Sequence, residues 1–162
     1  MTELLITRNL VDGLVEDMRR FGAHTQETGA FLLATEQKPN RLTLLALAGT
    51  AGISRRRELF TVSGSAIERL FSWAGDHELR IAAQVHSHAR EAFLSPTDLR
   101  HGFDVAGFIT AVVPHFAQPS REPDHWGWWQ RSPSAWQPRR APTVVAGAVR
   151  TFRFDEEGVR AA

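Results

Sequence analysis

Two histidines two residues apart, His86 and His88, an acid ten residues on at Asp98, and Glu27 are the residues of this chain that could do chemistry together. On a strand, residues two apart point to the same side roughly 6.5 to 7 Å apart, so imidazoles at 86 and 88 can converge on one ion. The chain has seven histidines. A pair at that spacing is then expected by chance about 0.3 times, so the pair alone also fits two exposed loop histidines. Ser95-Pro96-Thr97-Asp98 is equally two-sided, because a serine followed three residues later by an acid is also the pattern of a helix capping box. Together the two segments offer two nitrogens and one oxygen from adjacent elements. That is the donor set of a catalytic zinc, which keeps its fourth position for water. Such an ion lowers the pKa of its water to about 7 and polarises a carbonyl, and hydrolysis then needs a base to move the proton. Glu27 stands just before the apolar run Gly29 to Leu33, where an ionised side chain can project from the mouth of a sheet. By itself it reads as an ordinary loop glutamate.

Composition narrows the alternatives. The 162 residues include no cysteine, which excludes disulfides, zinc ribbons and thiol nucleophiles and leaves His, Asp and Glu as the strong metal ligands. A chain of this length with 43% apolar residues is expected to form one domain, 1–162. With a formal net charge of +1, it lacks the basic footprint of a nucleic-acid binder, and Arg55-Arg56-Arg57 reads as a solvated loop. No run approaches the roughly 20 apolar residues of a membrane span, and residues 1–11 lack the pattern of a signal peptide. A cytoplasmic protein with neither nucleic-acid nor membrane partners is expected. Lys38 is the only lysine and tyrosine is absent, which a bias toward Arg, Ala and Gly codons explains.

The elements that must position these residues follow from periodicity. From Asn9 as an N-cap, Leu10, Val11, Leu14, Val15, Met18 and Phe21 have helical spacing up to Gly22. Thr28 to Thr35 and Leu42 to Ala48 read as a hairpin around Lys38-Pro39-Asn40. A polar loop, residues 49–57, and a short strand, Leu59 to Val62, precede a second helix that Ser65-Ala66-Ile67-Glu68 opens as a capping box. Leu79 to Val85 is a strand that delivers the chain into His86-Ser87-His88. Ser95-Pro96-Thr97-Asp98 opens a short helix with proline at its first position. Gly107 to Val113 is a buried strand ending at Pro114, and Val149 to Phe154 is strand-like before a charged tail. Trp126 and Trp128 share a face and are expected in the core. His24, His77, His101, His115 and His125 have no partner spacing and are expected on the surface or satisfied in the core.

Glu27-Thr28-Gly29, His86-Ser87-His88 and Ser95-Pro96-Thr97-Asp98, in this order, resemble the JAB/MPN metalloprotease (JAMM) motif, and the likeness runs from Glu27 through Pro114. The resemblance implies an α/β fold, a mixed curved sheet flanked by helices and akin to cytidine deaminases. It implies one zinc per chain on His86, His88 and Asp98, Glu27 as general base and Ser95 as stabiliser of the oxyanion. It further implies hydrolysis after the C-terminal tail of a ubiquitin-like protein, in deconjugation or precursor processing within a bacterial, including antiviral, ubiquitin-like system. Activating and conjugating enzymes would be further partners. The alternatives are release of an amino acid or small group from a ubiquitin-fold sulfur carrier and a non-catalytic MPN scaffold. The chain departs from the pattern at Ala89, where the family usually has proline, and in a loop to Ser95 that is one residue shorter.

Overall fold

A short strand, β1 (Leu5–Thr7), leads straight into α1 (Arg8–Gly22) in the computed structural model, which describes residues 3–101 and 103–162, less the side chains of residues 97, 100 and 101. Thr7, extended and without a side-chain cap, occupies the N-cap, so Asn9 falls inside the first turn instead of capping it. The reason is tertiary. Leu5 and Ile6 are held in register with Arg41 and Leu42, and Thr7 with Val145, so the chain turns helical directly after that ladder. Helical spacing puts Leu10, Val11, Leu14, Val15 and Met18 on one buried stripe. Gly22 closes the helix where a Cβ would collide with the carbonyl of Phe116.

β2 (Gly29–Thr35), the two-residue β3 (Arg41–Leu42) and β4 (Leu44–Ala48) follow, with β2 and β4 forming the expected antiparallel hairpin. The segment expected to be a polar loop instead contains a strand, β5 (Ile53–Arg55), paired antiparallel with β6 (Phe60–Val62). Helix α2 (Gly64–Asp76) is capped by Ser63, whose Oγ accepts the Ala66 N–H at 3.2 Å. The capping box expected at Ser65 is therefore not formed. Next come β7 (Leu79–Ser87), α3 (Pro96–His101), β8 (Ile109–Val113), a 3-10 turn (Pro123–His125) and β9 (Gly127–Arg131). The chain ends in β10 (Trp136–Pro138), β11 (Thr143–Val145), β12 (Arg150–Asp155) and β13 (Gly158–Ala161).

Eight strands form one mixed sheet in the order β10-β9-β8-β7-β2-β4-β12-β13, with β7/β8 and β4/β12 parallel and the other neighbours antiparallel. Alternation along β2 divides the core. Ala30, Leu32 and Ala34 face α1, while Phe31 and Leu33 face Leu70 and Ala74 of α2. This is the expected α/β arrangement of a mixed sheet between helices. Trp126 and Trp128 lie in the α1-side core, stacked with ring centroids 5.8 Å apart. The segment read as a charged tail is β13, which folds back along β12 and joins it through an ion pair of Arg160 with Asp155 at 2.8 Å. Gly158, at φ 121°, makes that turn. Among the described residues no helix is long and apolar enough to cross a membrane.

Candidate metal centre and catalytic cleft

β7 and β8 run parallel in the interior of the sheet, and the site lies where they end. His86 is opposite Val112 in that ladder. His88 lies just beyond the strand, yet its N–H still donates to Val113 O and its carbonyl accepts the Phe116 N–H, both at 2.9 Å. With their backbones fixed, the two side chains bring their Nε2 atoms within 3.1 Å. Asp98, on the first turn of α3, places Oδ1 3.1 Å from His86 Nε2 and Oδ2 3.2 Å from His88 Nε2. Tetrahedral zinc with bonds of about 2.0 to 2.2 Å would hold its donors roughly 3.3 to 3.6 Å apart, so the three atoms fit the ion with shifts of a few tenths of an ångström. The chemistry of the set agrees. His88 Nδ1 is 3.0 Å from Glu91 O and donates its hydrogen there, so that a neutral ring holding a metal would offer the lone pair of Nε2 to the cluster. These three side chains can hold a metal ion.

Charge in the cluster is mutually supported. Burial alone would raise the carboxyl of Asp98, but its hydrogen bonds with His86 and His88 outweigh that and hold it well below the usual carboxylate range. Burial works against the charged form of His88, while Asp98 and Glu27 together push it upward. Asp98 also serves the helix. Its Oδ2 accepts the Ser95 N–H at 2.9 Å, and Ser95 Oγ accepts the Asp98 N–H at 3.0 Å, a reciprocal capping box. The capping box that Ser95-x-x-Asp98 allowed is formed, and it holds the same carboxylate beside the two histidines.

Capping uses one lone pair of Ser95 Oγ, and among the described residues no acceptor takes its O–H, which can donate into the cleft it lines. Ser95→Ala should retain the metal, lose about 1 kcal/mol of stability with its cap, and lose activity by about 10²- to 10³-fold, the scale of one oxyanion donor. Thermal denaturation, metal analysis and kinetics on one preparation separate these roles. An activity loss below about threefold would leave Ser95 as a cap only.

Glu27 reaches the site through strand register. Gly29 pairs with His86 across β2 and β7, and the same register carried two residues further puts Glu27 opposite His88. Directly opposed residues of an antiparallel pair share a face with Cβ atoms about 4.5 to 5.5 Å apart. Glu27 is only 5% exposed, unlike an ordinary loop glutamate. Burial pushes its carboxyl up to about 7, with His88 opposing and Asp98 and Glu58 adding to the rise. Glu27, His88 and Ser95 line one cleft of about 700 Å³, whose walls also carry Arg57, Glu58, Arg90, Glu91 and Phe93.

Several contributors were not identified from the sequence. Ser87, between the two histidines, accepts the Thr28 N–H on Oγ at 3.0 Å and its own N–H donates to Thr28 O, tying the histidine strand to the Glu27 segment. The phenyl ring of Phe93 meets His88 edge-on at 4.9 Å. Arg55 is not the solvated residue expected: its guanidinium is half-buried and bonds to Thr28, Gly49 and Ala48. Of the triplet, it is Arg57 that lines the cleft. Of the remaining histidines, His77 Nδ1 lies 2.8 Å from Trp73 O and His125 Nδ1 2.8 Å from Ser120 Oγ. The side chain of His101 lies outside the described residues.

In sequence, the chain matches no family model and none of the curated proteins compared with it. In structure it is similar to a protein from Desulfitobacterium hafniense with a TM-score of 0.66 at 13% identity, over 90% of this chain and 93% of the other. It is similar to a JAB1/MPN domain protein from Archaeoglobus fulgidus, TM-score 0.52 at 16% identity, over 90% of this chain and 100% of that one. A protein from Salinibacter ruber aligns with a TM-score of 0.56 at 22% identity, over 87% and 90% of the two chains. The fold is that of a JAB1/MPN domain.

Proposed function

We propose that this protein is a zinc-dependent peptidase or isopeptidase that cleaves after the C-terminal tail of a ubiquitin-like protein. The observation that carries the reading is one cleft lined by Glu27, Ser95 and His88, the last of which shares a three-donor cluster with His86 and Asp98. Zinc held by those donors would supply Lewis acidity toward the scissile carbonyl. The buried carboxyl of Glu27 takes the proton of the attacking water and passes it to the leaving amine, a task suited to a group titrating near neutrality. The O–H of Ser95 donates to the oxygen on which negative charge develops.

The cleft bears on the substrate. Arg57, Glu58, Arg90 and Glu91 dominate its walls, and Phe93 is the large apolar side chain among them. Among the described residues these walls are mostly charged and show no deep apolar pocket for a substrate side chain. An extended tail bound through its main chain suits them better, with specificity resting on the folded body of the partner. The test is to incubate the protein, its Glu27→Gln variant and a chelated sample with a reporter fusion of the genomically neighbouring ubiquitin-like protein and with casein. Metal- and Glu27-dependent cleavage of the fusion alone is expected. Comparable cleavage of casein would replace the reading with a general peptidase. Silence on both despite bound zinc would shift it to release of a small group from a ubiquitin-fold carrier.

A further inference from the structure

Three consecutive residues, Glu27, Thr28 and Gly29, are each held by the β5–β6 hairpin. The Glu27 N–H donates to Arg56 O at 2.7 Å. Arg55 Nε donates to Thr28 Oγ1 at 2.8 Å. Gly29 has no room for a Cβ against the ring of Phe60, so that ring packs directly on its backbone. Arg55 is the centre of this clamp. Besides Thr28, its guanidinium donates to Gly49 O and Ala48 O, each at 2.6 Å, and it lies 4.0 Å over the ring of Phe21. These contacts join the end of β4, helix α1 and the start of β2 through one planar group, which lysine with its single ammonium cannot reproduce.

The support behind Arg55 leads to a buried acid. Ala48 O is shared with Arg153, whose guanidinium in turn pairs at 3.1 Å with the buried Asp17 of α1. Asp17 balances positive charge that would otherwise stand uncompensated beside the core. Thr28 is fully buried and bonded on its other side to Ser87, the residue between the two histidines. Thr28 adjoins Glu27 directly, whereas β7 is held on its other side by the parallel ladder with β8.

We propose that Arg55 is a positioning residue that fixes the Glu27-Thr28 backbone and thereby the placement of the Glu27 carboxyl in the cleft. The proposal rests on the reading of Glu27 as the base. Among the described residues Arg55 does not line the cleft, and its hydrogen bonds go to Thr28, Gly49 and Ala48 and not to His86, His88 or Asp98, so its removal should leave metal binding intact while Glu27 loses its fixed position.

The test compares wild type with Arg55→Lys, Arg55→Ala and Thr28→Val, the last removing one acceptor of the guanidinium with little change of shape. Amide hydrogen exchange is read at Glu27, and at Val85 and His86 in the same samples. Exchange at Glu27 should quicken about ten- to a hundredfold in Arg55→Ala, the scale of a lost hydrogen bond to a charged group, and by less in Arg55→Lys and Thr28→Val. Val85 and His86 should keep their protection and zinc should stay near one per chain. On the ubiquitin-like fusion, kcat should fall by a similar factor with KM nearly unchanged, and methylguanidinium should restore part of the rate of Arg55→Ala. Unchanged protection at Glu27 in both Arg55→Ala and Thr28→Val would overturn the proposal whatever the activities. So would loss of protection at Val85 and His86 to the same degree as at Glu27. If wild type proves inactive while Glu27 loosens as expected, the proposed reaction fails and the positioning role stands.

Discussion

Glu27→Gln should leave the protein with its full metal content and take away its hydrolysis by about 10²- to 10⁴-fold, the usual worth of a positioned general base. An amide has nearly the shape of the carboxyl it replaces, and Glu27 lies outside the three-donor cluster, so the cleft should keep its form. The same substitution has a second readout in the metal-free protein. Burial raises the folded-state carboxyl from 4.5 to about 7, so its ionisation weighs against folding as pH climbs through that window. The amide does not titrate. Chemical denaturation of the two metal-free proteins should show little difference near pH 4, a growing advantage for Glu27→Gln between about pH 4.5 and 7, and a plateau above. Wild-type turnover by the zinc-loaded variant would remove Glu27 from the mechanism. A stability difference independent of pH would show that its carboxyl is solvated rather than buried.

Removal of a metal-facing side chain should have the other large effect. His86→Ala, His88→Ala and Asp98→Ala each leave two donors of the three, and metal affinity should fall by well over 10²-fold, since even the outer partners of metal ligands are commonly worth 10- to 100-fold. Asp98 permits a finer division. Its Oδ2 also caps α3 by accepting the Ser95 N–H. In Asp98→Asn the amide oxygen can still accept that bond, but the negative charge facing two imidazoles is gone. Asp98→Asn should therefore keep the α3 cap while losing the metal, and Asp98→Ala should lose both, being less stable than Asp98→Asn by about 1 kcal/mol in the metal-free state. Titration with zinc and thermal denaturation of the two variants measure the difference. Equal stabilities would show that the cap contributes nothing beyond what water supplies.

The parts of this architecture that could be read from the chain are those written in local periodicity. The stripe from Leu10 to Met18, the apolar runs of β2, β4, β7 and β8, and the same-face tryptophans at 126 and 128 all carry a period that matches their burial. The spacing of His86 and His88 at a strand end, followed by a serine-capped turn with an acid, is local in the same sense. What escaped depends on partners distant in sequence. Thr7 takes the N-cap position of α1 because β1 is held by residues 41–42 and 143–145, and no pattern near Asn9 records that. Ser63 and Ser65 are equivalent as capping types, and β6 ends at Val62, which puts the cap at the nearer serine. β12 lies inside the sheet, parallel to β4, a pairing set by more than a hundred intervening residues. Arg55 looks like part of a basic surface triplet until the carbonyls at 48 and 49, Thr28 and Phe21 are brought around it.

The most direct test of the account is to measure zinc and hydrolysis together in wild type, Glu27→Gln and the His86→Ala, His88→Ala double variant, each purified identically and assayed on the same ubiquitin-like fusion. About one zinc per chain with activity is expected in wild type, about one zinc without activity in Glu27→Gln, and neither in the double variant. Stoichiometric zinc in the double variant, or cleavage by it at the wild-type rate, would contradict the account.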